Sequence, residues 1–166
     1  MKLRQLKEKD APLMLEWIKA EDATKNFRFN PDAMNMDTVL AFIANSFSDT
    51  NRHYAICNDD DEYLGTVSLK NIDRYDENAE YAISMRECAR GTGAAKFGTQ
   101  EILKIAFCEL GLKKVYLNVY EDNLRARRFY EKTGFSYEGC AKQHINTANG
   151  RKSLCYYGIF AEDIKC

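Results

Sequence analysis

The hydrophobic periodicity of the chain changes abruptly between residues 79 and 110, and a short glycine-containing turn marks the change. Ala79–Met85 alternates, with Tyr81, Ile83 and Met85 on one face and Glu80, Ala82 and Ser84 on the other. From about Ala94 to Leu110 the apolar residues recur at helical spacing instead, as Leu103, Ala106, Phe107 and Leu110. The joint reads Arg90-Gly91-Thr92-Gly93-Ala94-Ala95. A strand feeding a long helix in this way implies a parallel crossover within a sheet. Small residues also let the backbone approach a ligand closely. Amides at a helix N-terminus carry roughly half a positive charge, and Arg90 adds a full one, so a phosphate is the natural guest. The P-loop pattern fails because Phe97 follows Lys96, and the dinucleotide fingerprint fails because Lys96 stands where Gly or Ala belongs. Taken alone, the turn is better read as a tight strand–helix joint.

The remaining segments supply the partners for this unit. Lys2–Leu6 reads as a first strand. Asp10 and Pro12 open a helix that carries Leu13, Met14, Trp17 and Ile18 on one face. Asn26–Asp37 is polar and irregular, with Phe27 and Phe29 embedded, and Asp37 is expected to cap a second helix bearing Leu40, Ile43, Ala44 and Phe47. His53–Cys57 and Tyr63–Ile72 read as strands joined by the acidic turn Asn58–Glu62, which is better read as a solvated turn than as a cation site. Gly111 suits the end of the long helix, and Val115, Leu117 and Val119 mark the next strand. Asn123 caps a short helix with Ala126, Phe129, Tyr130 and Thr133 on one face, and Gly134 ends it. Strands near Phe135–Lys142 and Ser153–Phe160 close the order β-α-α-β-β-β-α-β-α-β-β. This predicts an α/β (α+β) sandwich around a mixed sheet.

Composition excludes several function classes. With 166 residues and no Ser/Gly/Pro-rich linker, one domain over 1–166 is expected. The net charge of -1 argues against a dedicated nucleic-acid binder. No apolar run is long enough for a membrane span and the start lacks a signal-peptide pattern, so a cytoplasmic location is expected. The six cysteines, Cys57, Cys88, Cys108, Cys140, Cys155 and Cys166, show no C-x-x-C spacing. No metal site is expected from that pattern. Cys88, near the anion-binding turn, is a candidate reactive thiol, although an ordinary loop cysteine is the plainer reading.

A second constellation follows the turn: Asn123-Leu124-Arg125-Ala126-Arg127-Arg128-Phe129-Tyr130-Glu131-Lys132-Thr133-Gly134-Phe135. Arg90, Gly93 and Ala95 satisfy the form [QR]-x-x-G-x-[GA], and Asn123, Ala126, Tyr130, Lys132, Gly134 and Phe135 satisfy N-x-x-A-x-x-x-Y-x-K-x-G-F. In this order the two segments resemble the GNAT superfamily of acyl-CoA-dependent N-acetyltransferases, from about Lys2 to Ile164. The resemblance implies a three-layer sandwich with a mostly antiparallel sheet of about seven strands, splayed between the fourth and fifth. It implies acetyl-CoA as co-substrate, without a metal. Its pantetheine arm would lie along Ile83 and Met85. The pyrophosphate would sit on Arg90, Gly91, Thr92, Gly93, Ala94 and Ala95. Asn123 would reach the pantetheine or thioester region, and Arg127 and Arg128 the nucleotide 3′-phosphate, unless those arginines are simply solvated.

The implied chemistry is direct acyl transfer to an amine. An aliphatic amine with a pKa near 10 is neutral in about one molecule per thousand at pH 7, so a base must take its proton. Tyr130 matches the family's general acid and Glu80 resembles the acidic residue that serves as base, with Glu121 and Glu138 as weaker candidates. The acceptor side is expected from Ala11–Asn30 and Gln143–Lys152. Met14-Leu15-Glu16-Trp17 resembles the branch holding ribosomal-protein N-terminal, polyamine and nucleotide-linked amino-sugar acetyltransferases, and the amino-sugar group is favoured. The acceptor would be a small-molecule amine or a peptide N-terminus. An exposed edge strand would allow a homodimer. The competing class is a non-catalytic acyl-CoA-binding sensor, with a general phosphate-binding module behind it.

Overall fold

A computed structural model describes residues 1–20 and 30–165 of the chain. Seven strands form one sheet in the order β1-β2-β3-β4-β5-β7-β6. They are β1 (Lys2–Gln5), β2 (Arg52–Cys57), β3 (Tyr63–Asp73), β4 (Asn78–Met85), β5 (Lys114–Tyr120), β6 (Ser136–Thr147) and β7 (Gly150–Phe160). All neighbours run antiparallel except β4 and β5, which are parallel. Four α-helices are described: α1 (Ala11–Ile18), α2 (Met36–Ala44), α3 (Ala94–Lys104) and α4 (Leu124–Lys132). The expected α/β element order and mixed sheet are present.

The alternation of β2 shows why there are three layers. Ala55 and Cys57 turn toward α1 and α2, where Met14, Ile18, Val39 and Ile43 are buried. Ile56, between them, turns the other way into the cluster formed by α3 and the sheet, with Val67, Leu69, Ile102 and Leu103. Ala126 and Tyr130 of α4 pack on that second side.

Several local readings need correction. Asp10 precedes α1, but its carboxylate caps no α1 amide; it is buried, accepts from the Lys7 amide at 2.9 Å and takes both terminal Arg4 guanidinium nitrogens, at 2.7 and 2.8 Å. The cap of α2 is Asn35, not Asp37: Asn35 Oδ1 accepts from the Thr38 amide at 3.0 Å, and Asp37 lies within the first turn. Ala44 is exposed and Phe47 stands beyond the helix, where it pairs with Arg52, so Val39 and Ile43 carry the buried face. The long helix changes at Ile105–Glu109 into a π-helical turn, in which the Leu110 amide bonds the Ile105 carbonyl at 2.9 Å. β6 and β7 extend further into the polar segment than expected. The acidic turn is anchored, with Asp61 held by Arg4 at 2.7 Å and Lys2 at 3.2 Å. Of the irregular segment, residues 26–29, including Phe27 and Phe29, lie outside the described residues. No described helix is long and apolar enough to cross a membrane.

One feature of the sheet positions the site. β4 and β5 share only three register pairs, Asn78↔Lys114, Ala79↔Val115 and Glu80↔Tyr116. Beyond Glu80 they part, while β4 stays paired with β3 through Met85 and β5 stays paired with β7 through Tyr120.

Candidate active site

The parting strands open a cleft of about 1360 Å³. Its β4 wall runs from Glu80 to Met85, and Asn118, Val119 and Tyr120 form the β5 wall. Residues 81–85 use alternate backbone groups to pair with β3, so the groups turned toward β5 face the cleft without a strand partner.

The glycine turn closes one end. Gly91 and Gly93 have φ of +79° and +87°, a region that a Cβ penalises. These two left-handed residues shape the turn, in which the Arg90 amide bonds the Glu87 carbonyl at 3.0 Å and the Thr92 amide the Ala89 carbonyl at 3.4 Å. Thr92 Oγ1 braces the turn by donating to the Ala89 carbonyl at 2.7 Å and accepting from the Ala94 amide at 3.3 Å. The first bond of α3 runs from the Phe97 amide to the Gly93 carbonyl at 3.0 Å. The amides of Ala95 and Lys96 precede it and have no partner among the described residues. Their orphan donors and the helix dipole fit a phosphate. Gly91, Gly93, Ala95, Arg90 and Lys96 all line the cleft.

Tyr130 and Glu80 reach the same cleft from opposite faces of the sheet. Asn123 Oδ1 caps α4 by accepting from the Ala126 amide at 3.2 Å, and this fixes the helix that carries Tyr130. The Tyr130 ring packs among Tyr81, Phe129, Phe135 and Tyr157, with centroids 5.7–6.4 Å away. Its hydroxyl makes no hydrogen bond among the described residues, and burial pushes the phenol up to about 12. It is therefore a neutral proton donor throughout the physiological range. Glu80 sits where the two strands separate. Its carboxylate accepts from Lys70 Nζ at 2.8 Å, Asn71 Nδ2 at 3.0 Å and Asn118 Nδ2 at 3.5 Å.

Ile83, Met85, Arg90, Gly91, Gly93, Ala95 and Asn123 are thus brought together with Tyr130 and Glu80. Thr92 and Ala94 support the turn from behind, Ala94 being fully buried. Arg127 and Arg128 do not join the cleft. Arg127 Nε donates to Tyr157 Oη at 3.0 Å and its Nη1 to the Glu121 carbonyl at 3.1 Å, while Arg128 is exposed beyond the rim. Two cations that sequence reasoning did not assign line the cleft instead, Arg125 and Lys96. Arg125 stands in the first turn of α4, two residues after the Asn123 cap, a place at the cleft that the motif itself does not mark. Of the segments expected to line the acceptor side, α1 contributes Glu16 and Trp17 to the cleft, and Ala20 follows, whereas none of Gln143–Lys152 lines it. Glu121 and Glu138 lie away from it; Glu138 pairs with Lys114 at 2.7 Å.

A buried cation ties this side of the cleft together. Arg86 donates through Nη1 to Glu62 at 2.7 Å and to the Tyr63 carbonyl at 3.1 Å, and through Nε to Glu16 at 3.3 Å. It links α1, the β3 start and the end of β4.

Comparison with known proteins agrees with this geometry. A family model described as an acetyltransferase (GNAT) domain matches residues 1–136. The protein named "Putative ribosomal N-acetyltransferase YdaF", from Bacillus subtilis (strain 168), is 25% identical over 167 residues, covering 97% of this chain and 91% of that protein. Spermidine N(1)-acetyltransferase of Escherichia coli (strain K12) is 35% identical over 80 residues, which is 48% of this chain and 43% of that protein. Among solved structures, the spermidine N-acetyltransferase from Vibrio cholerae in complex with CoA and spermine superposes with a TM-score of 0.87 at 22% identity, covering 98% of this chain and 96% of that one. That likeness shows a shared fold.

Proposed function

Because the chain belongs to the GNAT acetyltransferase family, which uses acetyl-CoA, we propose that it acetylates a primary aliphatic amine in the β4–β5 cleft, with Tyr130 as acid and Glu80 as base. The observation that carries this reading is the conjunction of three features in one cleft: the unpaired β4 edge, the unpartnered Ala95 and Lys96 amides after the glycine turn and the unbonded Tyr130 hydroxyl. Bound acetyl-CoA supplies a thioester carbonyl and a thiolate leaving group. The turn of Arg90–Ala95 holds its pyrophosphate, with Arg125 and Lys96 as the nearby cations. Backbone groups of Ile83–Met85 orient the arm, and a β4 amide stabilises negative charge growing on the carbonyl oxygen. Glu80, directly or through a water, takes the proton that the attacking amine loses. Tyr130 gives its proton to the departing sulfur.

The acceptor proposed is a cationic aliphatic amine of the polyamine type. Glu16, Glu80 and Glu87 line the cleft, and carboxylates complement such a chain better than they complement a nucleotide-linked sugar. A ribosomal peptide N-terminus is the second reading, favoured by the relative matched over 97% of this chain. The amino-sugar acceptor expected from the sequence has no support in the relatives named above.

The test is a melt titration followed by an acceptor screen. Acetyl-CoA at about one hundred times its Kd adds roughly 2.7 kcal/mol. For a chain of this size that is a shift of about 5–11 °C, with ATP and NAD giving none. Thiol release is then followed with spermidine, peptide N-termini and a nucleotide amino sugar. No shift at millimolar acetyl-CoA, or no thiol release with any amine, would overturn the reading.

A further inference from the structure

Register on three neighbouring strands brings together residues that lie far apart in the chain. Val119 of β5 is opposite Cys155 of β7, and Cys155 is opposite Cys140 of β6. Glu121 follows Val119 by two positions, and its amide continues the ladder to the Ser153 carbonyl at 3.1 Å. It therefore leaves the sheet on the side of Val119 and Cys155. Cys140 lies between two register shifts, at Tyr137/Gly139 and Ala141/Ile145, and such bulges re-aim side chains. One Glu121 carboxylate oxygen and both sulfurs lie within 4.8 Å of one another. Cys155 is buried, Cys140 half-buried and Glu121 exposed, and both thiols are free. The acetyl-transfer chemistry proposed above uses none of the three.

We propose that Glu121, Cys140 and Cys155 form a site for one thiophilic divalent cation of the zinc class, with a fourth position left to water. Tetrahedral zinc with Zn–S near 2.3 Å places its ligand atoms roughly 3.5–3.8 Å apart, so side-chain adjustments of about 1 Å close the set. Paired sulfurs select a soft cation over magnesium or calcium. Two thiolates and one carboxylate around a divalent ion leave a single negative charge. The Arg127 guanidinium compensates it, held beside the cluster by the Glu121 carbonyl and Tyr157 Oη. Burial, with the hydrogen bond that the Cys155 thiol gives to Cys140, pushes that thiol up to about 11. The cation then displaces one proton from each thiol: two thiols, one carboxylate and the cation give the complex and two protons. The ion would join the end of β5 to β7 and β6, the last being an edge strand whose one strand partner among the described residues is β7. Residue spacing hides the site, because Cys140 and Cys155 lie on β6 and β7 and Glu121 just past the end of β5.

The experiment uses the full chain, reduced, stripped with a chelator and desalted, with its thiols counted. Cadmium is titrated while thiolate-to-metal charge transfer is followed, and zinc is titrated against a chromophoric chelator. One cation per chain is expected, with release of about two protons and a rise in the melting midpoint. The Cys140→Ser/Cys155→Ser double variant loses uptake, and its circular dichroism and acetyl-CoA melt shift report whether it is folded. Glu121→Gln keeps the stoichiometry and binds at least about tenfold more weakly. Cys88→Ser, which changes an exposed thiol elsewhere, behaves as wild type. No uptake by the reduced wild-type chain, or unchanged uptake by a folded double variant, would overturn the proposal.

Discussion

Tyr130 combines an aromatic cage with a hydroxyl that has no described protein partner, and the proposed acid role makes demands on both. Tyr130→Phe keeps the ring contacts and removes the proton. It is expected to lower kcat by about 10²–10⁴ while leaving the KM for acetyl-CoA nearly unchanged; steady-state kinetics with a saturating amine checks this. Because the native phenol titrates near 12 and an unfolded one near 10, the unfolded chain releases its proton first. Stability therefore falls as pH rises above about 10. Glu80→Gln should lower turnover at least about tenfold with the acetyl-CoA melt shift retained, since the pyrophosphate end is untouched; an unaltered rate across the pH range would remove Glu80 from the mechanism. His53 sets the opposite limb. Burial, with Lys70 nearby, holds its imidazole down to about 4, and Nδ1 lies 2.8 Å from Ser68 Oγ. Below pH 6.5 the unfolded chain gains a proton that the native one refuses. Stability is thus expected to fall between about pH 6.5 and 4, by up to about 3 kcal/mol. Denaturant melts of wild type and His53→Gln measure this, and the variant should show a flatter acid limb.

At the scale of elements, α3 and α4 hold the site and fail in different ways. Gly98 of α3 faces β2, and a Cβ there would stand 2.3 Å from Ile56 Cδ1 and 2.8 Å from Cγ1. Ile56 is fully buried and has no room to retreat. Gly98→Ala should therefore destabilise the fold by about 1–3 kcal/mol, although alanine is intrinsically the better helix residue by about 1. A stabilised variant in urea melts would contradict this packing. Asn123→Ala removes the α4 cap, costs about 1 kcal/mol and loosens the helix carrying Tyr130. These elements were readable because their signals are local: alternation in β4, the stripe of α3, the Asn123 cap. Other features depend on what lies across space. Asp10 looked like a cap, but Arg4 claims its carboxylate. The polar residues of Gln143–Lys152 resemble a loop, yet an edge hairpin accepts them because so little of it is buried. Arg127 and Arg128 shared a motif with Tyr130, but Tyr157 and the Glu121 carbonyl hold Arg127, Arg128 is exposed, and Arg125 in the first turn of α4 lines the cleft instead. The cluster of Glu121, Cys140 and Cys155 needed strand register, which no short window contains.

On the scale of the molecule, the sheet consists of two parts, β1–β4 and β5–β7–β6, joined by three register pairs. That short seam creates the cleft, and it also gives β4 two unlike edges. Toward β3 its backbone is paired to Met85; toward β5 the pairing ends at Glu80. Hydrogen–deuterium exchange should therefore be striped along a single interior strand. Within 81–85, amides turned to β3 are protected to nearly the global stability of the fold. Their neighbours, turned to the cleft, exchange at rates closer to those of a loop. A chain position in the middle of a seven-stranded sheet would thus report solvent access residue by residue, and slowing of only the cleft-facing set would register a ligand that completes the strand's second edge.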